Sequence, residues 1–245
     1  MKNILDPIKA ESLKDVFIAR FEELILSGKL AIGQKLPSER ELALQLGVSR
    51  PVVHEGLVDL AFKGLVSIKP RVGTVVNDYR REGSLALLTS LVNYHEGSVA
   101  PALLTGTIDV RRNIETATAR LAAANRTAEH LAVLTDLLRR EKEVDHGDAE
   151  RISEIDFALH HAVAIATDNP VYPLLLNTFK QFYTNLTRLF FADSEVVPVV
   201  FAFHKKLVAA IERQSETGAV RVMGQLLDHG EAHVTASAGK MRRKR

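Results

Sequence analysis

Two short helices joined by a tight turn are predicted between residues 36 and 60, and this feature constrains the fold of the chain most strongly. Ser38 and Glu41 have the spacing of a capping box, which predicts that the first helix begins there. Apolar residues then recur at helical spacing until Gly47, where the chain is expected to turn. Ser49 is predicted to cap the second helix. Two helices so close in sequence are expected to pack against each other.

The second helix is predicted to have one buried side and an exposed N-terminal turn. Pro51 lies near its start, where a missing N–H costs little. Its apolar residues recur at i, i+4 and i+7 and should face the first helix: Val53, Leu57 and Leu60. Ser49, Arg50 and His54 are then expected to point outward. A helix of this kind places its N-terminal side chains against base edges in the major groove of DNA.

A short β-ribbon is predicted after the second helix. Residues 66–68 and 74–76 are strand candidates on either side of a turn at 70–73. Lys69 and Arg71 lie at this turn, where they can neutralise phosphate charge. Together the helices and the ribbon predict a winged helix-turn-helix.

Residues 36–75 resemble the winged helix-turn-helix of the GntR family of bacterial transcription regulators. The motifs that carry the resemblance are Leu36-Pro37-Ser38-Glu39-Arg40-Glu41-Leu42-Ala43, Gly47-Val48-Ser49-Arg50, Glu55-Gly56-Leu57, Gly64-Leu65-Val66 and Gly73-Thr74-Val75. The residues expected to contact DNA are Arg40, Ser49, Arg50, His54, Lys69, Arg71 and Gly73. His54 departs from the family, which usually has arginine at this place. We expect a symmetric homodimer that binds a pseudo-palindromic operator in double-stranded DNA, as a repressor or an activator.

The composition limits the setting in which the chain acts. The 245 residues carry a formal net charge of only +2, so DNA binding is argued from the local basic cluster and not from total charge. The absence of cysteine excludes disulfides and thiolate metal sites, and it predicts a reducing, cytoplasmic location. The sequence contains no apolar run of about 18 residues, so no membrane span is predicted.

Four segments are predicted along the chain. They are a winged DNA-binding domain at 1–77, a linker at 78–83, an effector-binding and dimerisation domain at 84–238, and a basic tail at 239–245. The tail is interpreted as solvated, with a non-specific phosphate contact as the alternative. About seven helices are predicted in the third segment, over 84–94, 98–123, 127–145, 149–167, 170–192, 196–214 and 217–237. The expected fold is an α+β winged helix-turn-helix followed by an all-α bundle.

Several polar residues lie within the apolar helices of the predicted bundle. Asp156 and His160 are four residues apart and share a helix face, and His204 lies on a later helix. A carboxylate and two imidazoles from facing helices can bind a divalent cation. The alternative is a surface carboxylate, an exposed histidine and a buried histidine that is satisfied by its neighbours.

The predicted bundle also resembles the FadR branch of the same family. In that branch, Asp-x-x-x-His and two later histidines commonly bind a metal that holds a carboxylate effector. Asp156, His160 and His204 match the first three ligands, but Leu226 stands at the fourth position, and His229 lies one helical turn further on. The resemblance therefore implies zinc or nickel with a small hydroxy acid or sugar acid, and His229 as a substitute ligand.

A narrower resemblance is to the fatty-acid-responsive members of that branch, through segments such as Asn169-Pro170-Val171-Tyr172 and His204-Lys205. It implies control of fatty-acid metabolism with a long-chain acyl-CoA as the effector. The residues expected to contact or sense this effector are Arg111, Tyr183, Leu226, His229 and His233. These members lack a complete metal set and are apolar at position 160, so this chain carries features of both subtypes.

A metal-dependent enzyme built on Asp156, His160 and His204 is the competing class. The sequence contains no glycine-rich phosphate loop, nucleophile elbow or HExxH helix, and it indicates no separate general base. We therefore expect a regulator and not an enzyme.

Overall fold

The computed structural model describes residues 12–94, 101–178 and 180–242. These residues form two compact units: residues up to 94 belong to the first, and residues from 101 onward belong to the second. Within the described residues, no helix is both long enough and apolar enough to cross a membrane. The predicted basic tail overlaps the end of the last helix as far as Arg242, and its last three residues lie outside the described part.

The first unit is a winged helix-turn-helix, as the sequence predicts. Its elements are α1 (Leu13–Leu26), α2 (Glu39–Leu46), α3 (Arg50–Phe62), β1 (Val66–Lys69), β2 (Gly73–Val76), α4 (Tyr79–Glu82) and α5 (Leu87–Tyr94). The two strands are antiparallel, with Val66 opposite Val76 and Lys69 opposite Gly73. The apolar faces of α1, α2 and α3 enclose one core with the ribbon.

Helix capping explains where α2 and α3 begin. The Ser38 hydroxyl accepts from the Glu41 N–H, and the Glu41 carboxylate accepts from the Ser38 N–H at 2.8 Å, so the predicted capping box is confirmed. Gly47 ends α2 in the left-handed region, with φ of 66°. Ser49 occupies the N-cap of α3, but its side chain makes no capping hydrogen bond, so the prediction for its hydroxyl is wrong. That exposed hydroxyl is left available to another partner.

The segments predicted as a linker and as the first bundle helix belong to the first unit in the structure. Residues 79–82 form the short helix α4, which Asp78 caps by accepting from the Arg80 N–H. Leu87 of α5 is buried in the first core, and Ser90 of α5 donates a hydrogen bond to buried Glu22 of α1 at 2.7 Å. The first unit therefore extends beyond the predicted boundary at 77. Helical periodicity predicted the helix at 84–94 but could not tell which core it joins.

The second unit is an all-α bundle. Its helices are α6 (Pro101–Asn125), α7 (Ala128–Glu143), α8 (Ala149–Ile165), α9 (Val171–Thr178), α10 (Lys180–Phe191), α11 (Val197–Glu212) and α12 (Glu216–Arg242). The helix predicted over 170–192 corresponds to α9 and α10, and residue 179 between them lies outside the described residues.

Helix α8 lies at the centre of the bundle. It packs against α6, α7, α9 and α10, and ten of its 17 residues are buried. The solvent-facing side of α8 is narrow and holds Arg151 and Glu154, whereas its other sides are covered by neighbouring helices. Asp156 and His160 are therefore carried into the interior by the position of α8, and their polar atoms need partners from the neighbouring helices.

Candidate functional site

The predicted DNA-contacting residues of the two helices are exposed in the first unit. Arg50 is the first residue of α3 after the Ser49 N-cap, and His54 follows one turn later. Glu39, at the start of α2, connects them: its Oε1 lies 2.8 Å from His54 Nδ1, and its Oε2 lies 3.8 Å from Arg50 Nη2. An acidic side chain is favoured in this first turn by the helix dipole. Glu39 thus holds the two outward side chains of the recognition helix together.

The wing presents its basic residues at a tight turn. Lys69, Arg71 and Gly73 are exposed, and Arg71 and Gly73 have positive φ values of 63° and 105°. Lys35, which the sequence reasoning missed, forms a β-bridge with Val75, and its side chain lies beside Gly73. Its position before α2 gave no sign of a place on the wing. Arg40 is also exposed, on α2.

A buried polar cluster occupies the interior of the second unit. Arg111 on α6 donates to Glu115 Oε1 at 2.7 Å and to the Tyr183 hydroxyl at 3.1 Å. The guanidinium carbon also lies 4.5 Å from the centre of the Tyr183 ring, in a cation–π position. Glu115 Oε2 lies 2.9 Å from His160 Nδ1, as an ionic contact rather than a well-directed hydrogen bond. Arg111 and Tyr183 are therefore brought together, as one network.

The same network continues from Tyr183 to Asp156 and His204. The Tyr183 hydroxyl donates to Asp156 Oδ2 at 2.7 Å. Asp156 Oδ1 lies 3.5 Å from His204 Nε2 and 3.9 Å from the Nε2 of His160. The other nitrogen of His204, Nδ1, lies 2.5 Å from Glu141 Oε1 on α7. Both imidazoles thus turn Nε2 toward the same oxygen, and each turns Nδ1 toward a different carboxylate.

Burial and charge act against each other at the ionisable groups of this cluster. Burial alone would raise the pKa of Glu115, but Arg111 and His160 outweigh it and hold that pKa below its usual range. Burial alone would lower the pKa of His160, but Glu115 outweighs it, so that pKa is raised. Burial raises the pKa of Tyr183 well above its usual value, with a further contribution from Asp156 that Arg111 opposes. The phenol therefore remains a proton donor to Asp156.

The cluster has an excess of acidic groups. Glu115, Asp156 and Glu141 are three buried carboxylates, and among the described residues Arg111, whose side chain is 21% exposed, is the cation that contacts Glu115. Uncompensated charge in an interior is costly, because burial removes hydration that stabilises the charge. With neutral imidazoles, the ionised cluster would carry two negative charges in excess. Either protons on the histidines or a divalent cation can restore the balance.

The arrangement of donor atoms fits a divalent cation. Asp156, His160 and His204 each offer one ligand atom, and these atoms lie within 4.8 Å of one another. His204 Nε2 is buried and has no hydrogen-bond partner in the described structure. Carboxylates on the far nitrogen of a metal-binding histidine are a common supporting arrangement, because they fix the ring and its tautomer. Glu115 and Glu141 occupy these supporting positions, and the sequence reasoning did not identify either residue.

The structure places the other predicted residues near this cluster to different degrees. Leu226 on α12 is buried and lines a cavity together with Arg111, Asp156 and His160. His229 lies about one turn after Leu226 on α12, and its ring is near Phe190 and Phe203. It is therefore not part of the group of potential metal ligands. Its pKa is lowered by burial and by neighbouring His233.

His233 also lies against an aromatic ring and not in the cluster. Its ring meets Phe190 edge-on with 5.2 Å between the ring centres, and its Nε2 lies 3.4 Å from Asp193 Oδ2. Among the residues predicted to sense an effector on α12, Leu226 is the one that lines the cavity, whereas His229 and His233 are absent from its lining.

The cavity joins the polar cluster to an apolar wall. The space within it that can hold the centre of a water molecule is about 60 Å³, and all the space not filled by protein atoms, part of it open solvent, is about 660 Å³. Its apolar lining consists of Ile108, Leu186, Phe190, Phe191, Val200, Leu226 and Leu227. Arg111, Asp156 and His160 form the polar end, and Glu231 lies at the lining as well. A pocket of this kind is suited to a ligand with one polar end and one apolar part.

Comparison with known proteins covers both units. Residues 14–76 match the family model of bacterial regulatory proteins of the gntR family, and residues 77–236 match that of the FadR C-terminal domain. The second match begins before α4 and α5, although these helices pack in the first unit.

Curated relatives are similar over most of the chain. The fatty acid metabolism regulator protein of Proteus mirabilis is 31% identical over 207 residues, which is 84% of this chain and 84% of the relative. The protein of the same name from Yersinia pestis is 32% identical over 208 residues, which is 85% of this chain and 84% of the relative.

Solved structures agree with the fold. The Lar protein of Listeria monocytogenes has a TM-score of 0.66 at 15% identity, with 94% of this chain and 99% of that chain covered. Escherichia coli McbR/YncC has a TM-score of 0.54 at 20% identity, with 94% and 100% covered. At such identities the likeness concerns the fold alone.

Proposed function

The chain belongs to the GntR family of bacterial regulatory proteins and carries a FadR C-terminal domain, and from this premise we propose that it controls fatty-acid metabolism by binding an operator under the control of a long-chain acyl-CoA. As a member of this family it is a transcription regulator and not an enzyme. The proposed setting is the cytoplasm, with the protein acting as a homodimer on a pseudo-palindromic site.

The observation that carries this proposal is the similarity to the fatty acid metabolism regulators, which extends over both units. The first unit supports DNA binding, because Arg50 and His54 are exposed on α3 and Lys69 and Arg71 are exposed on the wing. Residues on a recognition helix read bases, whereas basic residues on the wing contact phosphates or the minor groove.

The cavity of the second unit supports an effector with an acyl part. Its apolar wall is formed by α6, α10, α11 and α12, so an acyl chain bound there would contact four of the helices of the bundle. Arg111 at the polar end is already bonded to Glu115 and Tyr183, which makes it a positioned group rather than a mobile one. An effector alters operator affinity only if its own affinity differs between two conformations of the protein.

The test starts with operator selection from a pool of random duplexes, followed by fluorescence anisotropy with the selected DNA. Oleoyl-CoA should change the dissociation constant for DNA about tenfold, equivalent to about 1.4 kcal/mol of coupling, whereas free coenzyme A should not. Leu226→Phe, which reduces the cavity, should weaken this response. Leu189→Phe is the matched control, because Leu189 is 57% exposed on α10.

The outcomes separate the two parts of the proposal. Absence of any sequence-dependent binding to DNA would refute the proposed operator binding. Normal operator binding with no response to oleoyl-CoA would refute only the proposal that a long-chain acyl-CoA is the effector. Calorimetry of both variants checks that each remains folded.

A second candidate effector is a small carboxylate held by a zinc or nickel ion, and the excess of buried acidic groups favours it. Asp156, His160 and His204 would hold the ion, which would supply a positive charge for the carboxylate of a hydroxy acid or sugar acid. Glu141 would keep the His204 ring in place. Leu226 would leave one coordination position without a protein ligand.

Elemental analysis and metal titration of the purified protein test this candidate. Asp156→Asn should abolish binding, and Glu141→Gln should lower metal affinity about 10- to 100-fold. Glu143→Gln is the matched control, because Glu143 is on the same helix but is exposed and bonded to Arg139. Equal metal affinity in Glu141→Gln and the control would contradict the supporting role.

A further inference from the structure

We propose that His54 reads an amino group on a base, of adenine or cytosine, because Glu39 fixes the tautomer of its ring. The inference rests on the proposed function, since it requires that α3 enters the major groove. It concerns the position at which the family usually has arginine. The relevant structural fact is the 2.8 Å contact between His54 Nδ1 and Glu39 Oε1.

The contact determines which ring nitrogen carries the proton. An ionised carboxylate only accepts hydrogen bonds, so a nitrogen that is bonded to it must donate. In a neutral imidazole with the proton on Nδ1, Nε2 carries the lone pair and is an acceptor. Arg50 approaches the other oxygen of Glu39 at 3.8 Å.

The position of Glu39 is itself fixed by local structure. It is the first residue of α2, directly after the Ser38 cap, and the capping box holds the backbone on both sides of it. Its side chain is 30% exposed, whereas that of His54 is 59% exposed. Nε2 is on the side of the ring that faces away from Nδ1. The carboxylate therefore acts as a support behind the ring and leaves Nε2 available to DNA.

The chemistry of the major groove then assigns the base. Adenine N6 and cytosine N4 are amino donors, whereas guanine offers two acceptors, N7 and O6, at the corresponding edge. An acceptor at Nε2 pairs with the amino donors and opposes guanine. Arginine, which only donates, has the opposite preference and is the common partner of guanine. With Glu39 and His54, the protein group that faces the base accepts a hydrogen bond, whereas an arginine at this position would donate one.

Selection from random duplexes, sequenced and quantified at about pH 8 to favour neutral imidazole, tests the inference. Wild-type protein should prefer adenine or cytosine over guanine by about tenfold at one position in each half-site. His54→Arg should move the preference at that same position to guanine and leave the other positions unchanged. Glu39→Gln should reduce the discrimination to about twofold, because an amide can pair with either tautomer.

Glu55→Gln is the matched control for the loss of one carboxylate. Glu55 is exposed next to His54, and no ion pair of Glu55 occurs within the described residues. Its replacement should leave base preference intact. The inference is overturned if wild-type protein selects guanine at that position, or if His54→Arg changes no base preference. A protein that selects no common sequence at all would overturn the proposed function as well, so the two failures are distinguishable.

Discussion

Gly56→Ala should destabilise the first unit, although the same change normally stabilises a helix. Gly56 lies in the middle of α3, where glycine costs about 1 kcal/mol relative to alanine. A Cβ at this position would lie 2.3 Å from Phe17 Cδ1 and 2.7 Å from its Cε1. The Phe17 ring is buried and stacked on Phe21 with 4.4 Å between ring centres, so it cannot move aside without disturbing the core.

The magnitude follows from two opposing contributions. Overpacking of a close-packed core costs about 1–3 kcal/mol, and the gain in helix propensity offsets about 1 kcal/mol of this. We therefore expect a net loss of about 1 kcal/mol, which lowers the melting temperature of a unit of this size by about 4–8 °C. Differential scanning calorimetry measures the change directly.

A double-mutant cycle tests the cause as well as the size of the effect. Phe17→Leu removes the ring atoms that the new methyl group would meet, so Gly56→Ala should be less harmful in that background. Gly106→Ala in α6 is the matched control, because a Cβ there meets no atom within 4 Å and should stabilise its helix. A stabilising effect of Gly56→Ala, or an unchanged effect in the Phe17→Leu background, would refute the packing argument.

Three further substitutions test other parts of the structure. Arg50→Ala should abolish operator preference while the melting temperature stays the same. Arg20→Ala, which replaces an exposed arginine on α1, is the control and should leave operator preference unchanged. Equal footprints for the two variants would contradict the assignment of α3 as the recognition helix. Ser38→Ala should cost about 1 kcal/mol of unfolding free energy, measured by urea denaturation, and no loss would show that the capping box is dispensable. Glu115→Gln should cost about 3 kcal/mol or more at neutral pH, because it removes the buried carboxylate that contacts both Arg111 and His160. Burial opposes the ionisation of Glu115, but Arg111 outweighs burial and lowers the pKa of Glu115. The stability that Glu115 contributes is therefore fully present above the unfolded pKa of about 4.3 and is lost as the pH falls through the lower folded pKa. The difference in stability between the variant and the wild type should accordingly shrink in acid.

The local signals of the sequence predicted the helix-turn-helix in detail. The capping box at Ser38 and Glu41 and the turn at Gly47 depend on residues within about four positions of one another, and the paired residues of the wing are at most ten positions apart. The capping role of Ser49 was wrong, because a suitable residue at an N-cap does not by itself orient its hydroxyl.

Position in the chain did not predict which core each helix joins. The helix at 84–94 has the periodicity of a bundle helix, but Leu87 and Ser90 pack in the first unit against α1. Periodicity reports that a helix has an apolar face, and it carries no information about the surface that will cover this face.

The sequence by itself determined the class of the protein, a winged helix-turn-helix with an all-α bundle. It also identified Asp156, His160 and His204 as potential ligands of a divalent cation. Only the tertiary structure showed that Glu115 and Glu141 approach the two histidines and that Glu39 supports His54. The reason is physical. Helix starts and turns are decided by neighbours along the chain, whereas the partners of a buried or supported charge are decided by packing between residues that are far apart in sequence.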